Sequence, residues 1–194
     1  MPEKQRVEIP PFEIVEKERE RLLSRKRNIR GLLSGIGVLM VIAAISVIVA
    51  TKIVAVLQVS GSSMEPTLKA NEIVLFRKTD KIESQDIIAF YYQNKILIKR
   101  VIGLPGDSVD IKEDGMIIVN GQELEESYIM EPAIGECNIE FPYQVQEGEY
   151  FVLGDNRSVS KDSRSSQIGC VDRERIIGKA QLIVWPFQSI ESLQ

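Results

Sequence analysis

Lys95-Ile-Leu-Ile-Lys-Arg-Val-Ile102 reads as a β-strand, and the fold is reached by working outward from it. Alternation sets Lys95, Leu97, Lys99 and Val101 on one side and Ile96, Ile98, Arg100 and Ile102 on the other. The run ends at Leu104-Pro-Gly-Asp107, four residues of turn chemistry. Strand-like segments flank it on both sides, at 53–59, 72–76, 86–92, 108–111, 116–119, 150–153 and 179–184. Glu113-Asp-Gly115 and Asn120-Gly121 punctuate them. No stretch in this region has the period of a long amphipathic helix, and no repeat is evident. The pattern predicts a mostly β fold, antiparallel and strongly curved or barrel-like. Residues 123–148 are the least regular and read as an inserted hairpin or loop.

Upstream the pattern changes. Residues 31–51 are 21 consecutive uncharged residues dominated by Val, Ile, Leu and Ala. As a helix they would extend about 31 Å, against a hydrocarbon core of roughly 30 Å. Arg25, Lys26, Arg27 and Arg30 precede the run and a single Lys52 follows it. That bias puts the N-terminus in the cytoplasm and the remainder outside. A cleaved signal peptide would need a thirty-residue charged leader and an unusually long apolar run, so an uncleaved anchor fits better. Within residues 1–30, which carry nine basic and six acidic side chains, 13–27 suits a short surface helix or a flexible tail. The expected organisation is a cytoplasmic tail (1–30), a transmembrane anchor (31–52), an extracytoplasmic β-rich domain (53–187) and a C-terminal tail (188–194).

Composition removes several chemistries. The chain has no histidine, which excludes a Ser-His-Asp triad and any histidine-bearing metal site. Two cysteines cannot form a four-thiolate zinc site. A serine nucleophile here would need a lysine, a carboxylate or a free amine as its base. Residues 53–194 hold 14 basic and 22 acidic side chains, leaving no basic footprint for nucleic acid.

Between the anchor and the strands lies Gly61-Ser-Ser-Met-Glu-Pro-Thr-Leu68. The octet is either a connector or a site; Ser63 falls only 12 residues beyond Thr51, close to the membrane surface. Lys99 is likewise open to two readings. It is a lysine on an exposed face, or an ammonium pressed against Leu97 and Val101, desolvated and lowered in pKa until it can act as a general base. A lysine near 10.4 could not accept the serine proton at neutral pH. A second polar cluster, Gly154-Asp-Asn-Arg-Ser-Val-Ser-Lys-Asp-Ser-Arg164, is either a solvated loop or an ion-paired scaffold of arginines and carboxylates. Cys137 and Cys170 form an even pair on the outer side, as a disulfide or as two free thiols.

Taken together, Ser62-Ser-Met-Glu-Pro-Thr-Leu68, Lys99-Arg-Val-Ile-Gly-Leu-Pro-Gly-Asp107 and the 154–164 cluster, in this order behind one span, resemble the type I signal peptidases. These are membrane-anchored serine proteases, and the resemblance covers most of residues 31–184. It implies that Ser63 is the nucleophile, Lys99 its base, and Ser160 the hydroxyl that orients the lysine amine. Asp162 would pair with Arg164 and with Arg100, while Asp155 and Arg157 would brace the same loop. The commonest Gram-negative form has a serine two residues before the nucleophile that helps hold the oxyanion. Gly61 stands there instead, as in many Gram-positive members, so the oxyanion would rest on the Ser63 backbone N–H with a further donor. Such donors are worth roughly 3–4 kcal/mol. The short domain, without the large second domain of Gram-negative members, also points to a Gram-positive-like form.

The same resemblance implies an extended substrate ending in an Ala-X-Ala type segment, with Val59, Met64, Leu68 and Ile98 lining shallow pockets for its last and third-last residues. No metal or organic cofactor is required. The expected partners are signal-peptide-bearing preproteins, the bilayer through residues 31–52, and pilus or secretion machinery, with no nucleic acid. One alternative is a non-proteolytic or dedicated accessory protein of pilus or surface-protein assembly on this scaffold; the non-proteolytic form predicts loss of the serine or the lysine, and both are present. A self-cleaving repressor-type Ser-Lys protein predicts a helical DNA-binding domain and no anchor, the reverse of this pattern. A purely structural anchored β-domain is the remaining alternative.

Overall fold

The computed structural model describes residues 11–187 and 193. The expected tails therefore lie partly outside the described residues. The first element is α1, Phe12–Ile53, a continuous helix of 42 residues. At ~1.5 Å per residue it is about 63 Å long, so the polar segment before the apolar run is helical as well. Residues along the run are open to the surroundings, with Leu32, Leu39 and Met40 each about two-thirds exposed. A contiguous apolar surface of this size is not one that water tolerates. The helix is long and apolar enough to cross a bilayer.

The rest of the chain forms a separate compact unit, residues 51–194, built of antiparallel strands. In chain order these are β1 (Val54–Gln58), β2 (Ile73–Arg77), β3 (Ile87–Tyr92), β4 (Lys95–Gly103), β5 (Ser108–Ile111) and β6 (Ile117–Val119). They continue with β7 (Gln122–Glu123), β8 (Tyr143–Gln144), β9 (Glu149–Leu153), β10 (Val171–Asp172) and β11 (Ile176–Trp185). One sheet has the order β1-β2-β11-β3-β4-β9-β10 and the other β7-β6-β5-β8. The eight strands expected from periodicity are present to within a few residues. The two-residue strands β7, β8 and β10 are additional, too short to leave a periodic signal.

Neither the barrel-like closure nor the strong curvature expected from the sequence is seen. Both sheets are open, with β1 and β10 at the edges of the larger one and no closing strand pair among the described residues. Irregular register within β11 and near the end of β4 adds local bends without joining the edges.

Burial on both faces explains why β3 is apolar without alternation. Ile87 and Ala89 pack with Val59, Met64, Leu68, Val74 and Phe76, while Ile88 and Phe90 pack with Val101 and Val152 on the opposite face. A third cluster, around Ile102, Val109, Ile117 and Phe151, joins the end of β4 to the smaller sheet. Asn120 and Gly121, both at positive φ, make the tight hairpin between β6 and β7. Residues 124–142 have no regular structure, as their sequence predicted. Cys137 and Cys170 are free thiols; Cys170 is buried, and burial pushes its thiol up to about 12.

Candidate active site

The octet after β1 folds into consecutive turns. Glu65 donates its N–H to Ser62 O and Leu68 donates to Met64 O, which turns Met64 and Leu68 into the apolar core. Gly61 adopts φ +88°, a region that only glycine enters without strain, and a Cβ there would meet open space. Glycine is therefore required by the backbone, and the position also offers no bulk to an approaching chain. The turns leave Ser63 half-buried and facing β4.

Lys99 sits in the middle of β4, opposite Ile88 of β3, and is 3% exposed. Its Nζ lies 2.7 Å from Ser63 Oγ, a direct hydrogen bond. Of the two readings of Lys99, the structure supports the buried one. Desolvation lowers its pKa to about 8; Asp162 and Asp155 pull it upward and Arg164 pushes it down. Both carboxylates carry their own guanidinium partners, which limits that upward pull. A lysine near 8 keeps a substantial neutral fraction at neutral pH, so this amine can accept a proton from the hydroxyl it touches.

The 154–164 segment is an ion-paired scaffold rather than a solvated loop. Asp162 and Arg164 are both fully buried, joined by two bonds of 2.8 Å. Arg164 also donates to the carbonyls of Ile134, Arg157 and Ser160, and Asp162 accepts the N–H of Gly154 at 3.0 Å. Arg100 departs from expectation: it pairs with Asp155, at 2.8 and 2.6 Å, and not with Asp162. Arg164 holds both oxygens of Asp162, while Arg100 is held by both oxygens of Asp155 and by the Gln85 carbonyl. Asp155 also accepts the hydroxyl of Thr67, tying this loop to the octet.

Ser160 departs as well. It is 1% exposed, and its Oγ has no hydrogen-bond partner, so the expected bond to the Lys99 amine is absent; the amine's hydrogen bond is to Ser63. Ser160 nevertheless lies at the site. A Cβ built on Gly154 would fall 2.1 Å from Ser160 Oγ and 2.5 Å from the Ser63 carbonyl oxygen, so Gly154 is what lets these three backbones meet. The Asn156 N–H fixes the Ser63 carbonyl at 3.1 Å. The Ser63 N–H makes no hydrogen bond to another described residue.

Sequence reasoning missed the irregular 124–142 segment as a brace. Glu126 forms a buried bidentate pair with Arg157, Tyr128 lies 3.8 Å from the Arg100 guanidinium over its ring, and the carbonyls of Ala133 and Ile134 cap Arg164. Thus each arginine of the motifs meets this loop. The signal available in sequence was an excess of arginines over nearby partners, which asked for acceptors from elsewhere.

Val59, Met64 and Leu68 are buried, and Ile98 packs against them. A cleft of about 180 Å³ opens between this group and Lys99, lined by Leu57, Val59, Ser63, Met64, Ile98 and Lys99 among others. Leu68 is fully buried and does not line it. No group of three or more carboxylate or thiol side chains able to hold a metal ion occurs among the described residues.

A buried lysine on a serine hydroxyl, between an apolar cleft and an ion-paired loop, defines a site with the parts of a hydrolase. The chain belongs to the signal peptidase family S26, whose model matches residues 32–185. It is 39% identical over 145 residues to signal peptidase I of Bacillus licheniformis, covering 68% of this chain and 77% of that protein. It is 36% identical over 154 residues to signal peptidase IB of Staphylococcus aureus, covering 69% of this chain and 78% of that protein. A crystal structure of a signal peptidase I from Enterococcus faecalis is 33% identical, with a TM-score of 0.42, and covers 51% of this chain and 96% of that one.

Proposed function

We propose that the protein is a membrane-anchored signal peptidase I that cleaves signal peptides from preproteins with Ser63 as nucleophile and Lys99 as general base. The observation that carries this reading is the 2.7 Å contact between Ser63 Oγ and a Lys99 amine whose pKa is lowered to about 8 by burial. Neutral Lys99 takes the hydroxyl proton as Ser63 attacks the scissile carbonyl. The tetrahedral intermediate collapses to an acyl-enzyme, the protonated amine delivers its proton to the leaving nitrogen, and Lys99 then activates the hydrolytic water. The uncommitted N–H of Ser63 serves as an oxyanion donor.

The cleft lined by Val59, Met64 and Ile98 accepts small side chains of an Ala-X-Ala type segment, with Leu68 forming its packed backing. Asp162, Arg164, Arg100 and Asp155 hold the loop behind the amine. When substrate draws the Ser63 hydroxyl away, the unpartnered Ser160 Oγ is the nearby acceptor that keeps the amine aimed. Residues 31–52 lie in the bilayer, 1–30 on the cytoplasmic side and 53–187 outside, a placement supported by the basic residues that precede the apolar run. Anchoring confines enzyme and substrate to one surface, because a signal peptide's own apolar segment is membrane-embedded.

The test is incubation of the detergent-solubilised full chain with a signal-bearing preprotein, with product N-termini read by mass spectrometry. Cleavage directly after the small-residue site is expected, and Ser63→Ala should abolish it without loss of fold. A Ser63→Ala protein that processes at the wild-type rate would refute the assignment. A role dedicated to pilus assembly would show as processing of pilin-type preproteins alone in a mixed set.

A further inference from the structure

A protease must house chain on both sides of the bond it breaks. The cleft described above lies on the Val59 side of Ser63. A second cavity, of about 250 Å³, is lined by Glu65, Met130, Glu131, Ala133, Asn156 and Ser158 together with Asp155 and Arg157, and shares no lining residue with that cleft. Its wall is bonded to the nucleophile's own backbone, since Asn156 donates its N–H to Ser63 O at 3.1 Å. Glu65 follows Ser63 by two residues. An extended peptide advances about 3.3 Å per residue, so a cavity whose wall bonds the Ser63 carbonyl lies within a residue or two of a scissile carbonyl held at Ser63 Oγ.

The charges around the cavity are not balanced. Asp155 is neutralised by Arg100 and Arg157 by Glu126, in buried bidentate pairs. The carboxylates of Glu65 and Glu131 make no ion pair or hydrogen bond to another described residue. The cavity therefore holds two uncompensated negative charges beside an apolar patch from Met130 and Ala133. A basic side chain with an apolar stem suits both features.

We propose that this cavity receives the first residues of the mature chain, and that Glu65 and Glu131 make it favour a basic over an acidic side chain there. The inference rests on Ser63 being the nucleophile. Both carboxylates are at least partly solvated, so the selectivity is modest: roughly a fivefold to tenfold higher kcat/KM for Lys than for Glu.

The experiment uses the detergent-solubilised full chain and peptides identical through an Ala-X-Ala site, carrying Lys, Gln or Glu at the first or second position after it. Wild type should rank Lys above Gln above Glu, with the ratio shrinking at high salt. Glu65→Gln and Glu131→Gln should each narrow the Lys/Glu ratio about twofold to threefold, and Glu65→Lys with Glu131→Lys should invert it. Equal cleavage of all peptides by wild type, or a ratio unmoved by the charge reversal, would overturn the inference while leaving the catalytic reading intact. If wild type cleaves none of the peptides, the catalytic reading falls first, and the inference with it.

Discussion

The pH dependence of cleavage tests the chemistry most directly, because the group that touches the Ser63 hydroxyl and could accept its proton is an amine held near 8. An ordinary lysine at 10.5 would be neutral in roughly one molecule in 3,000 at pH 7; at about 8 the neutral fraction is roughly one in eleven. The gain is about 300-fold in competent enzyme. Because kcat/KM reports the free enzyme, it should rise about tenfold from pH 6 to pH 7, about fivefold from pH 7 to pH 8, and level off above pH 9. A quenched fluorogenic peptide with an Ala-X-Ala site, assayed in detergent from pH 6 to pH 10, gives the profile. Lys99→Ala should remove activity at every pH, and Lys99→Arg should not restore it, because a guanidinium stays protonated. A profile still rising tenfold per unit through pH 9 would mean an unperturbed amine, and the proposed base would be wrong.

The same burial predicts a stability cost. Across the window from about 8 to 10.5 the unfolded lysine binds more protons than the folded one, so this group makes stability rise with pH there. Replacing it, as Lys99→Met, should raise stability at pH 7 by up to about 3 kcal/mol, with the advantage fading near pH 10.5, as read from urea melts. Comparing the two proteins is necessary because the Cys170 thiol, raised to about 12, pulls stability the other way above pH 9. A Met variant no more stable at pH 7 than at pH 10.5, relative to wild type, would contradict the desolvation argument. Arg164→Ala leaves Asp162 buried without its partner and should cost about 3–5 kcal/mol, measured by thermal or denaturant unfolding; Arg164→Lys should recover little of it, since one ammonium cannot replace the fork. A Gly154→Ala methyl would lie 2.1 Å from Ser160 Oγ, forcing the loop away from Ser63, with stability down by about 1–3 kcal/mol and kcat down roughly 100-fold. Unchanged kcat in a folded Gly154→Ala protein would show that the close approach does not matter.

What could be read from the chain was whatever has a local cause. Strand alternation, turn residues and the apolar run act over a few neighbouring positions, and the corresponding elements occur where periodicity puts them. Closure of a sheet is a long-range property, decided by which strands meet at its edges, and nothing in the 176–185 segment announces that β11 lies between β2 and β3. The site divides along the same line. The octet, the strand lysine and the 154–164 cluster stand out by residue type, yet their partners were assigned by motif rather than by contact. The motif alone therefore pairs Arg100 with Asp162 where the structure pairs it with Asp155, and gives no partner to Glu126, which carries a buried ion pair 31 residues from Arg157. Lys99 shows the limit best. Alternation gave it Leu97 and Val101 as neighbours, which is equally true of a lysine on a wet face. What removes the water is Ile88 across the ladder and the turn that lays Ser63 over the amine. That turn depends on Gly61 at φ +88° and on Gly154 admitting the Ser63 carbonyl, so two residues without side chains decide whether the lysine is dry enough to be a base.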